Sequence, residues 1–182
     1  FIVELLTGLA FIFFYKTLGL SFDFVLICII FLILIIIFFI DLKHYIIPDS
    51  LNFSLILIGI IKNFTTQDLL KLNYNLPDSL FGGALGYLMI WLIIFIYKQI
   101  RNKEAMGLGD AKLLSAFGFL LGFQAVLPIV FIASLTGLIY VLPFLIINKK
   151  NLQNIIPFGP FIIISGIIYY FYADSIFLIL KI

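Results

Sequence analysis

The sequence predicts an all-α, polytopic membrane protein with six or seven transmembrane or membrane-embedded helices. Three observations carry that prediction. Of the 182 residues, 64% are apolar and only 11% charged, whereas ordinary soluble domains carry about 25% charged residues. The mean hydropathy is +1.28, so the chain has too little polar surface to cover a water-facing globule. The charges are gathered between long uncharged runs, and in hydrocarbon such runs must satisfy their own backbone as helices.

The elements follow from the length a crossing needs, about 20 apolar residues. Phe24 to Ile40 is uncharged and is closed by Asp41. Ser79 to Tyr97 is a second span, and Phe123 to Ile147 a third, with Pro128 and Pro143 as positions for a kink. Phe158 to Leu180 is a fourth, interrupted by Asp174 near its end. Ile2 to Tyr15, which contains Glu4, and Ile46 to Ile61, which opens with Pro48, are weaker candidates. Asp110 to Gly122 is apolar but short for a full crossing. No linker or low-complexity tract divides the chain, which reads as a single domain over 1–182. Phe1 in place of methionine reads as a fragment or a processed chain, and no signal-peptide pattern is present.

Composition also narrows the chemistry. One cysteine and one histidine cannot build a disulfide or a Cys/His zinc site within the chain. Cys28 falls mid-span and His44 reads as an interfacial loop residue, which leaves no serine- or cysteine-hydrolase set. The net charge of +2 is spread along the chain, without a basic stripe for nucleic acid. With strict alternation of seven segments, one side holds Lys43, Lys98, Arg101, Lys103, Lys112, Lys149 and Lys150. The other keeps Lys16, Lys62, Lys71 and Lys181. The positive-inside bias puts the first group in the cytoplasm, and Asp41 and Asp110 with it.

Carboxylates at membrane depth are costly and mark function. Asp68, Asp78 and Glu104 fall in polar loops, while Asp23 and Asp174 read as interfacial ends of spans. Asp41 and Asp110 differ. Asp41 ends an apolar run and is followed by Ile46-Ile47-Pro48-Asp49; Asp110 follows Met106-Gly107-Leu108-Gly109 and opens an apolar helix. Glycines ahead of a carboxylate remove bulk and let another backbone approach. Two carboxylates sharing a proton form the aspartic-protease arrangement. Asp110 alone could equally be an acid favoured by a helix N-terminus.

Four blocks in order decide between these readings. Ala105-Met106-Gly107-Leu108-Gly109-Asp110-Ala111-Lys112-Leu113 resembles the signature of the bacterial type IV prepilin peptidases, Gly-x-Gly-Asp intramembrane aspartyl proteases. Val3 to Gly8, Ile40-Asp41 with Ile47-Pro48-Asp49 and Leu51, and Ile156 to Phe161 resemble three further motifs of that family. Ala105 stands where the family usually has glycine. The resemblance implies that Asp41 and Asp110 are catalytic. It makes Asp49, Lys112, Gly107, Gly109 and Glu4 supporting or substrate-facing; Lys112 reads either as a snorkelling lysine at the cytoplasmic face or as one that holds an ionised aspartate or a peptide carbonyl. The implied reaction is removal of the short basic leader of a prepilin or pseudopilin, cut after a glycine at the cytoplasmic face of the inner membrane.

The implied partners are that substrate helix and the lipid bilayer, with no nucleic acid. The implied proteolysis needs no metal or cofactor. S-adenosylmethionine enters only if the natural full-length protein also methylates, an activity tied in the family to a preceding helix and Cys-x-x-Cys loop. Three alternatives remain: an archaeal-type preflagellin peptidase, a carboxylate-lined membrane transporter, and a structural subunit of a pilus-assembly machine.

Overall fold

A computed structural model describes residues 2–65, 75–102, 106–147 and 156–180. Among them are seven helices and no strand. They are α1 (Ile2–Leu18), α2 (Phe22–His44), α3 (Asp49–Thr65), α4 (Leu76–Arg101), α5 (Leu108–Leu121), α6 (Phe123–Ile147) and α7 (Gly159–Leu180). All seven expected segments are helical, which resolves the count. Helices α2, α4 and α6 are long and apolar enough to cross a membrane, and the protein is a multi-pass membrane protein. Glu104, Ala105, Asp68, Lys71, Lys103, Lys149, Lys150 and Lys181 lie outside the described residues.

The helices run past the apolar runs that announce them. Helix α2 continues through Asp41 to Lys43 and His44, and α4 ends on Lys98 and Arg101. Cations in a last turn complement the partial negative charge of the helix C-terminus. Both helices then stop at a non-glycine residue in the left-handed region, Tyr45 (φ 57°) and Asn102 (φ 51°). Helix α6 carries Pro128 and Pro143 inside one continuous helix. The break falls instead in α7, at Tyr172 (φ −117°, ψ 16°).

Helix α5, the shortest, is the centre of the bundle. Nearly every residue from Asp110 to Leu121 is buried, with α3, α4, α6 and α7 packed around it. Its closest neighbour is α4, through glycines. A Cβ added at Gly82 would stand 2.6 Å from the Gly118 carbonyl oxygen, and one at Gly118 would collide with the Gly82 backbone. Small residues let helix backbones approach in this way, which is how packing replaces the hydrophobic effect between helices in lipid. Ser115 Oγ donates to the Gly83 carbonyl at 2.8 Å across the same seam. Gly118→Leu is expected to destabilise the fold by about 3 kcal/mol through overpacking, read as a lower thermal midpoint in detergent. An unchanged midpoint would show that the two helices can separate at no cost.

The C-terminal end of α5 is held from α3. Lys62 is buried and donates to the Leu120 carbonyl, one of the carbonyls a helix end leaves without an internal partner. Lys62 therefore lies inside the bundle, not in a loop as a span-end lysine would. Asn52, Leu55, Gly59 and Lys62 form the buried stripe of α3, with its two polar members at opposite ends of α5.

Candidate active site

The N-terminal end of α5 meets the C-terminal end of α2, and this junction brings Asp41 and Asp110 together. Asp41 lies one turn before the end of α2 and is 4% exposed; Asp110 is the third residue of α5 and is 8% exposed. Both line one cavity of about 350 Å³. Three segments complete its wall: Tyr45, Ile46, Ile47 and Asp49; Met106 to Gly109 with Lys112; and Ile156 to Phe158.

Each carboxylate is placed by a helix terminus. One turn after Asp41 the helix stops: the Tyr45 N–H bonds the Asp41 carbonyl at 2.9 Å and Tyr45 adopts the left-handed conformation. Such a conformation is uncommon for a bulky side chain, and strain of this kind clusters at functional sites. Asp110 sits in the first turn of α5, whose N-cap is Gly107, and its N–H bonds the Gly107 carbonyl at 3.2 Å.

The third element at the site is the start of α7. Phe161 and Ile162 both donate to the Phe158 carbonyl, at 3.0 and 3.2 Å. Pro160, the second residue of the helix, has no N–H, and proline is at home in a first turn. Gly159 lies directly against Asp41: a Cβ there would stand 2.5 Å from Asp41 Oδ2 and 2.9 Å from Ile47 Cδ1. Asp41 Oδ2 is buried and accepts no hydrogen bond from the described residues. A buried carboxylate oxygen without a donor is costly.

The glycines of the loop divide their work. Gly109 packs on Ile47, whose Cβ is 3.0 Å from where a side chain would begin, whereas Gly107 has nothing nearer than 3.8 Å. The absent side chain at Gly109 thus accommodates this protein's own Ile47 side chain, and the space beside Gly107 opens on the cavity. Lys112 Nζ lies 2.7 Å from both oxygens of Asp49, so it is paired with Asp49 and not with Asp41 or Asp110. Glu4 is in the first turn of α1 and does not line the cavity. His44 is exposed at the end of α2, and Cys28 is buried within it.

Asn52 escaped the sequence reading. It is 1% exposed, and its Nδ2 reaches the Gly109 carbonyl at 3.5 Å. Its signal was present in the sequence: Asn52 shares the 3-4-3 spacing of Leu55, Gly59 and Lys62. A polar residue on a buried helical stripe has to find a partner.

The chain belongs to the type IV leader peptidase family, whose model matches residues 28–142. Among curated relatives, a prepilin leader peptidase/N-methyltransferase of Legionella pneumophila is 44% identical over 144 residues, covering 79% of this chain and 48% of that protein. Proteins of the same name from Xanthomonas campestris and Pseudomonas aeruginosa are 34% and 35% identical, each covering 75% of this chain and 46% of the relative. The chain thus spans about half the length of the curated relatives it matches. No solved structure matches.

Proposed function

We propose that residues 1–182 form a single membrane-embedded aspartyl peptidase domain that removes the leader of type IV prepilins and pseudopilins. The reading rests on one observation: two buried aspartates, from helices far apart in sequence, line one open cavity at one end of the bundle. The family and the relatives named prepilin leader peptidases support the substrate class. Cleavage follows a glycine at the end of a short basic leader. It takes place at the cytoplasmic face of the inner membrane, a placement supported by Lys43, Lys98, Arg101 and Lys112 in the elements beside the cavity.

The chemistry follows from two carboxyls that share a proton. The ionised member takes a proton from a water molecule as that water attacks the scissile carbonyl carbon. The protonated member gives its proton to the carbonyl oxygen. Collapse of the tetrahedral intermediate returns a proton to the departing amine and restores the pair. The proton belongs to the pair as a unit. The substrate backbone passes beside Gly107, where the wall carries no side chain, and its apolar helix stays in the bilayer.

The relatives' second name, N-methyltransferase, implies S-adenosylmethionine. A second cavity, between α1, α2, α5 and α7, is lined only by apolar side chains and Tyr170. The aspartate cavity has three carboxylates, and its lysine is already paired. Neither offers a built site for that cofactor, and no methyl-transfer step is assigned to these residues. The reading is tested with purified protein in liposomes and a prepilin that keeps its glycine junction. Mass spectrometry should show a leader ending in glycine; an uncut prepilin overturns the reading.

A further inference from the structure

We propose that the turn from Ile47 to Asn52 is a brace clamped on the Gly107–Asp110 loop, and that the Asp49–Lys112 ion pair positions the two aspartates without contacting substrate. This rests on the peptidase reading above. Three contacts of different kinds join the two segments. The buried Ile47 side chain fills the space that Gly109 leaves open. The fully buried Asn52 amide reaches the Gly109 carbonyl. Lys112 meets both oxygens of Asp49. On the loop side these contacts fall at residues 109 and 112, on either side of Asp110. On the other side they belong to the segment that follows α2, whose first contact, Ile47, comes six residues after Asp41.

The form of the ion pair supports positioning. Its side chains are 28% and 57% exposed, and an exposed pair adds little to stability by itself. Both carboxylate oxygens already face the ammonium, so the pair has little charge to offer a peptide. What it does supply is a fixed separation between the first residue of α3 and the first turns of α5.

The test uses the intact protein in liposomes with a prepilin substrate. Asp49→Asn and Lys112→Met should each lower kcat about tenfold, with KM and thermal midpoint unchanged, because a displaced dyad loses rate and not binding. In a Cys28→Ala background, Asp49→Cys with Lys112→Cys should show the same loss. Joining the two thiols with a short bis-thiol-reactive linker should then restore kcat. A raised KM in the single variants, or a linked protein that stays slow, overturns the proposal in favour of substrate contact. Failure of the parent protein to cut the prepilin would instead remove the peptidase reading, so the two failures are distinguishable.

Discussion

Asp41→Asn and Asp110→Asn are each expected to abolish leader cleavage, lowering kcat by at least about 10³-fold. The double variant should be no slower than either single one. A base without its acid partner, or an acid without its base, completes no turnover, so the two losses do not add. Folding should survive, because asparagine keeps the shape of each side chain and removes a charge from a buried position. Asp41 Oδ2 has no donor among the described residues, and relieving an uncompensated buried charge does not destabilise. Both variants should therefore melt at or above the parent temperature. Single-turnover cleavage and thermal unfolding in the same detergent read the two effects. Substantial cleavage by either variant would break the dyad assignment.

Gly159→Ala should cost about 10²-fold in kcat, although the residue supplies no chemical group. Its new Cβ would stand 2.5 Å from Asp41 Oδ2 and 2.9 Å from Ile47 Cδ1, separations that real Cβ atoms do not tolerate. Asp41 is short and enclosed, so the conflict is resolved by moving the carboxylate or the start of α7. A displacement near 1 Å at the reacting groups is enough for a loss of that size. Gly137→Ala is the control. Its Cβ would meet only the Phe161 ring at 3.7 Å, an ordinary contact, and cleavage should be unchanged. Equal activity in both alanine variants would show that the start of α7 does not set Asp41.

The helices were legible because a bilayer imposes a simple rule. Each crossing must be apolar and internally hydrogen-bonded, and the uncharged runs meet that requirement directly. Helix ends were less legible. Lys43, His44 and Arg101 look like loop residues, yet a helix C-terminus welcomes cations and draws them into its last turn. Helix α5 looked like the poorest span because it is short. That length is what allows Asp110 at its first turn and Lys62 beneath its last to serve the two ends of one buried helix.

The sequence by itself determined the class of protein and the positions of six or seven helical segments, and it singled out Asp41 and Asp110 as the pair proposed here to be catalytic, through hydropathy and four motif blocks in order. It could not determine what touches what. Lys112, two residues beyond Asp110, pairs with Asp49 from α3, and Gly109 makes room for Ile47. Asn52, outside every motif, supports the loop that carries Asp110. Such pairings depend on helix rotation and on how closely backbones approach, quantities set jointly by all the packed neighbours. Only the tertiary structure decides them, and they are what place two buried carboxylates in a single cavity.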